Sequence, residues 1–282
     1  SDLEKSIDLI YPMYFEILIT PIHFLNLNLI DKEISKEMVV KKPESNYNLS
    51  DNKIIKFIKE NKMLNKEFMN YDLDINSTND DIKIWYKSLL KNDEIIKYQN
   101  QIEPDFENDL KIFNYISLNF IFKNEEINKH FSEKDLFWEE DKSILKSMIK
   151  KTLNSLNSIK LDKFTIADLS NDLSDDKSFA KNLFEGVLDG NKIFDSLISD
   201  NCQNWDIERI STIDRILLKM GICEFLYFHN IPVKVTINEY IDIAKKYSTP
   251  KSKNFVNGVL DILSKKMIDK IKKTGKGLID NK

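Results

Sequence analysis

The first 185 residues of this 282-residue chain contain no glycine; all six glycines lie at or after Gly186. Strand-rich folds use glycine at turns and bulges, so a stretch this long without it argues against a sheet. Cysteine is nearly as scarce. Cys202 and Cys223 are too few and too poorly spaced for a disulfide framework or a zinc site, which fits a reduced, cytoplasmic compartment. No uninterrupted apolar run reaches the roughly 18 residues of a membrane span. The longest, from Ile17 to Leu29, is interrupted by Pro21, His23 and two asparagines. No signal peptide is visible. The chain opens at Ser1 without Met, directly in a helical pattern, so a missing natural beginning is expected. Histidine is limited to His23, His130 and His229, far apart and without acidic or cysteine neighbours at metal-ligand spacing. A glycine-rich phosphate loop and a serine-nucleophile motif are both missing. These gaps speak against an enzyme, and no cofactor or metal is expected.

What is present reads as helix. Apolar residues make up 41% of the chain, which supplies ample core, and the 11% of aromatics is more than a disordered chain carries. Lys, Asn and Ile dominate throughout, a bias ascribed here to AT-rich codons, so isolated lysines are discounted. Ile54, Ile55, Ile58, Met63 and Phe68 recur at steps that suit a helix face. So do Ile112, Phe113, Ile116 and Phe120, and later Ile144, Leu145, Met148, Ile149 and Leu153. The fold class expected is all-α. Residues 41–46, 74–81 and 103–105 read as loops, and Ser50 and Ser132 as helix N-caps. The polar stretch Asp162 to Asp176 marks the boundary between a first region, 1–170, and a second, 171–282.

A faint repeat with a period of 67 pairs Asp109, Asn124, Ser132 and Trp138 with Asp176, Asn191, Ser199 and Trp205. Apolar pairs follow at the same offset: Ile112 with Phe179, Ile116 with Leu183, Ile127 with Phe194, Phe131 with Ile198, and Ile149 with Ile216. Both a helical duplication and chance in a biased composition accommodate it. Charge is uneven as well. From Trp205 onward there are 15 Lys and Arg against 9 Asp and Glu, so this end carries +6 while the whole chain carries −4. A basic end points to a polyanionic partner, or to a solvated lysine-rich tail.

In the second region, Ile210, Ile213, Ile216, Leu217, Met220 and Leu226 form one apolar stripe, with Asp214, Arg215 and Lys219 on other faces. Gly221 weakens that helix by about 1 kcal/mol relative to Ala, so another helix is expected to cross closely there. Pro232 forces a turn, and Thr236 with Glu239 has the spacing of a capping box. Ile237, Tyr240, Ile241, Ala244 and Tyr247 make the buried stripe expected of the next helix. Ser252 is positioned to cap a final helix that buries Val256, Val259, Leu260, Leu263 and Met267.

The succession "IPVKVTINEYIDIAKKY" (231–247) and "NFVNGVLD" (254–261), preceded by the helix from Trp205 to Phe228, resembles the C-terminal part of the NusB family. A weaker likeness reaches back through "KSFAKNLFEGVLDGNKIFDSLI" (177–198), and the region before about residue 170 resembles the longer form of Bacteroidota-type bacteria. The resemblance implies an all-α, NusB-like helical bundle over 171–282 with additional N-terminal helices over 1–170. It also implies a non-enzymatic transcription antitermination factor. Such a factor acts with NusE, a small-subunit ribosomal protein, on single-stranded boxA RNA of ribosomal RNA operons, within the RNA polymerase complex. Lys219, Lys251, Ser252, Lys253 and Phe255 stand at positions for RNA contact, and Asp214 at one facing NusE. Asn238, Glu239 and Asn257 belong to the family signature, as contacts or as structural cross-links; Phe255 reads equally as a core residue and Asp214 as a solvated one. Two departures stand out. The family's arginine-rich N-terminal arm has no counterpart, the only arginines being Arg209 and Arg215, and Lys251 replaces what is often an acid. The competing expectation is a protein-interaction scaffold for NusE or a ribosome-assembly partner, with little RNA affinity of its own.

Overall fold

The computed structural model describes residues 2–37, 47–156, 164–201 and 210–267, and every regular element in them is helical. The chain divides into two compact units, 1–171 and 172–282.

The first unit is built around α1 (Asp2–Glu37), whose residues from Ile10 to Leu27 are largely buried. Pro12 and Pro21 lie inside this helix, so the proline expected to interrupt the apolar run does not end it. Its most apolar stretch is long enough to cross a membrane, yet 78% of that stretch is buried within the protein, the condition of a core helix. Around it follow α2 (Lys53–Glu60), α3 (Lys62–Asn70), α4 (Asp80–Leu89), α5 (Asp93–Gln99) and α6 (Phe106–Tyr115). A π-helical turn, Ile116–Phe120, joins α6 to the short α7 (Ile121–Lys123), and α8 (Glu125–Lys134) and α9 (Trp138–Asn154) complete the unit. Polar ties cross its core: Tyr14 bonds Thr152, whose hydroxyl also accepts from the Ala167 amide at 3.0 Å. Buried Asp109 accepts from Tyr98 at 2.7 Å and from the Lys53 amide at 2.8 Å.

The helix starts differ from the expected ones. Ser50 lies in a 3₁₀ turn and Ser132 inside α8, where its hydroxyl bonds the Asn128 carbonyl at 2.8 Å. The caps are asparagines instead. Asn52, Asn61, Asn79, Asn92 and Asn124 each accept a hydrogen bond from the first amides of α2, α3, α4, α5 and α8, and Asp105 does the same for α6. The loop at 41–46 falls outside the described residues, and Met63 and Ile144 stand exposed at the edges of their stripes.

The second unit comprises α10 (Leu173–Asp189), α11 (Asn191–Asn201), α12 (Thr212–Tyr227), α13 (Val233–Tyr247) and α14 (Ser252–Lys266). Trp205, Cys202 and Arg209 lie outside the described residues. The other four helices all pack against α12. Its core face is Leu217, Leu218, Ile222, Cys223 and Phe225, whereas Ile213 and Ile216 point outward, the latter 47% exposed. The expected stripe was therefore right in part: Leu217 is buried and Ile210, Met220 and Leu226 pack against the core, but Ile213 and Ile216 do not belong to it, because apolar residues surround α12. Thr236 caps nothing. Pro232 stands at the N-cap of α13, which begins three residues before Thr236, and the threonine hydroxyl instead donates to Glu224 at 2.8 Å. Ser252 is the first residue of α14, and Lys251 stands at the cap. The final stripe, Val256 to Met267, is buried as expected.

Elements recur at the 67-residue offset. Asp105 and Asp172 are both side-chain N-caps, of α6 and α10, and α8 is matched by α11. Ile127 and Phe194, and Phe131 and Ile198, are all buried; Ile149 is buried while its counterpart Ile216 is not.

Gly221 is where α12 meets α14. A β-carbon there would stand 2.7 Å from Leu260 Cδ2 and 3.4 Å from Tyr240 Cδ2. Gly221→Val should overpack this crossing and lower stability by about 1–3 kcal/mol, measured as a reduced urea midpoint.

Candidate nucleic-acid interface

Three carboxylates tie α12 to its neighbours, and one of these ties shapes the α13–α14 turn. Near the C-terminal end, Glu224 accepts from Thr236 and from Tyr240, and the bonded Tyr240 hydroxyl is pushed well above its ordinary range by burial and the adjacent carboxylate. On the other side, Asp195 of α11 receives Arg215 in two-pronged fashion, Nε and Nη2 each at 2.7 Å, and Lys219 Nζ at 2.9 Å. The Arg215 guanidinium, seconded by Lys219, holds the Asp195 carboxyl below the usual range against the opposing effect of burial.

The third carboxylate is Asp214, in the first turn of α12. It accepts from Ser248 Oγ at 2.7 Å and from Ser252 Oγ at 2.8 Å, one hydroxyl on each oxygen. Those serines bracket the turn between α13 and α14, and Ser252 also lies 2.9 Å from Ser248 and 2.8 Å from Thr249 Oγ1. A carboxylate accepting two hydroxyl bonds in a buried site fixes the backbone on both sides of the turn. The turn is thus pre-formed, and Lys251 and Lys253 project from it, exposed and with no ion-pair partner among the described residues.

The expected site residues divide accordingly. Lys251 and Lys253 are brought together at the surface of one turn. Ser252 is fully buried as a cross-link, and Asp214 is buried with it, facing α13 and α14 rather than solvent. Lys219, only 7% exposed, has its ammonium engaged by Asp195 and Asn191. Phe255 is half-buried and packed against the core of the unit. Asn238, Glu239 and Asn257 are exposed on α13 and α14. Sequence reasoning missed Tyr247. Assigned to the buried stripe of α13, it is 43% exposed at the helix end, with Lys246 Nζ 4.9 Å from its ring centroid. Three basic or hydroxylic neighbours in the following turn were the signal that this position leaves the core.

At the opposite end of α12, a groove of about 580 Å³ is lined by Asp175, Asp176, Phe179, Tyr227, Phe228 and other residues, none of them Lys or Arg. Its two carboxylates make it unsuited to phosphate. Two of the histidines serve structure: His130 bonds Glu16 at 2.7 Å, and His23 bonds the Asp74 carbonyl at 2.8 Å, while His229 lines the groove. Among the described residues, no three His, Cys, Asp or Glu side chains gather around a possible metal position.

The model of the family described as NusB matches residues 123–265, just over half of the chain. The chain belongs to the NusB family. It is 44% identical over 108 residues to the transcription antitermination protein NusB of Thermodesulfovibrio yellowstonii, covering 38% of this chain and 72% of that one. To the protein of the same name from Salinibacter ruber it is 45% identical over 105 residues, 36% and 66% of the two chains. To that of Chloroherpeton thalassium it is 40% identical over 106 residues, 37% and 50%. The likeness thus spans between half and just under three quarters of these NusB relatives. The solved structure of T. maritima NusB is 29% identical at a TM-score of 0.32, covering 49% of this chain and 82% of that one. The NusB match begins at residue 123, inside the first compact unit, so the family region and the second unit do not coincide.

The Asp195 cluster carries a pH dependence whose sign follows from its lowered pKa. The stabilisation is fully present above the unfolded-state value, about 3.9, and is lost as pH falls through the lower folded-state value. Asp195→Asn should therefore be less stable than the wild type at pH 7, and the gap should narrow below about pH 4, as read from urea unfolding at both pH values.

Proposed function

We propose that this chain is an RNA-binding transcription antitermination factor of the cytoplasm, acting with NusE on boxA-type single-stranded RNA within the RNA polymerase complex. The observation that carries the reading is the α13–α14 turn, a pre-formed surface with two exposed lysines in a NusB-family chain. Single-stranded RNA needs cations for phosphates and flat groups for bases, and a locked turn offers them without an ordering cost at the moment of binding. Lys251 and Lys253 supply phosphate contacts. Phe255 contributes through its exposed edge, and Asp214 with Ser252 acts by positioning the turn. Lys219 holds α11 against α12 through Asp195 and Asn191. NusE occupies a neighbouring face of the second unit, and Asn238, Glu239 and Asn257 are available to either partner.

The second reading, a scaffold that holds NusE with little RNA affinity, draws on the inward placement of Asp214, Ser252 and Lys219, which leaves Lys251 and Lys253 as the only expected RNA-contacting cations at the surface.

Fluorescence anisotropy with a labelled boxA-like RNA, with and without NusE, at two salt concentrations separates these readings. Tight, salt-sensitive binding strengthened by NusE supports antitermination through RNA; binding of NusE without RNA affinity supports the scaffold. In the first case the double variant Lys251→Ala, Lys253→Ala should bind more weakly. The slope of log affinity against log salt should fall by about 0.7 for each phosphate that is no longer neutralised.

A further inference from the structure

We propose that Tyr247 is a base-stacking platform of this RNA surface, an inference that rests on the RNA-binding reading above. The ring belongs to the last residue of α13 and is 43% exposed, although its neighbours at helical spacing, Tyr240 and Ala244, are buried. Nearly half of this ring at the helix end remains open to solvent and to a ligand. The Lys246 ammonium lies 4.9 Å from the ring centroid, which adds a cation beside the ring. The backbone that carries it is fixed one residue later, where Ser248 donates to Asp214 at 2.7 Å. Ser252, held by the same carboxylate, stands between Lys251 and Lys253. One buried anchor therefore fixes the position of an exposed aromatic ring and of the exposed lysines on the far side of a short turn. That is the combination single-stranded nucleic acid requires: a π-face for a base, with cations along the path of the adjoining phosphates. Phe255 serves this role less well, because it packs partly into the core. Stacking makes no distinction among bases through hydrogen bonds, so Tyr247 contributes affinity and register, and sequence choice falls to other groups.

The test compares Tyr247→Ala, Tyr247→Phe and the Lys251→Ala, Lys253→Ala pair with the wild type, using labelled boxA-like RNA in the presence of NusE at two salt concentrations. Tyr247→Ala should bind about tenfold more weakly, with an unchanged salt slope and an unchanged melting temperature. Tyr247→Phe should bind like the wild type, since it keeps the ring. The lysine pair should lower both the affinity and the slope. If Tyr247→Ala binds as tightly as the wild type while the lysine variant is impaired, the platform is overturned and the RNA reading stands. If the wild type itself shows no salt-sensitive binding, both fail. A loss of affinity in Tyr247→Ala accompanied by a matching fall in melting temperature, not reproduced in Tyr247→Phe, would assign the ring to the fold and overturn the proposal.

Discussion

A carboxylate removed from water must be met by donors, and α12 carries two such groups, Asp214 and Glu224, at its two ends. Each is met by hydroxyls from other helices: Ser248 and Ser252 for the first, Thr236 and Tyr240 for the second. These bonds do what apolar packing alone cannot. Hydrophobic contact tolerates small slips of one helix past another, whereas a buried anion with an unmatched partner costs several kcal/mol. The register of α13 and α14 on α12 is therefore set by hydrogen bonds, while the area buried by Leu218, Ile222, Phe225, Val256 and Leu260 supplies most of the driving force. The candidate interface inherits its shape from this arrangement, because the turn that presents Lys251 and Lys253 is one of the two places where the bonds converge.

Much of the architecture was legible in the sequence. The glycine-free first 185 residues and the helical spacing of apolar positions indicated an all-α chain, and the stripe from Val256 to Met267 was read residue for residue. Gly221 was legible too, because a glycine in an otherwise regular helix implies close approach, and Leu260 is what approaches. The face of α12 was not legible. With Ile213 and Ile216 on the outer side and Leu217, Leu218, Ile222 and Phe225 on the inner one, periodicity offers two solutions, and polar residues assigned to other faces turned out to be the anchors. The start of α13 was misread for a related reason: Thr236 and Glu239 have the right spacing for a box, but Pro232 already supplies the helix start and the threonine is needed elsewhere.

Asparagine abundance, part of a bias ascribed to AT-rich codons, has structural use in the first unit, where five helices begin on an asparagine side chain. Composition and function are not exclusive: a biased pool still places its residues where the backbone has unpaired amides. The 67-residue repeat shows the same selectivity. One cap pair, Asp105 and Asp172, and several buried positions recur, yet the third helix pair diverges at Ile149 and Ile216, and α13 and α14 follow only in the second unit. The turn between those two helices, which carries the candidate interface, has no counterpart at that offset.

Cys223 lies in the seam between α10 and α12, fully buried, 3.9 Å from the Leu183 carbonyl, with its thiol pushed up to about 11 by burial. Gly186 passes so close that a β-carbon would stand 2.7 Å from the sulfur. A thiol so enclosed is neither ionised nor reachable while the seam is shut. The rate at which a small alkylating reagent modifies it is then a clock for the separation of these two helices. The molecule thus carries, at no cost to its surface, an intrinsic reporter of how often its second unit breathes.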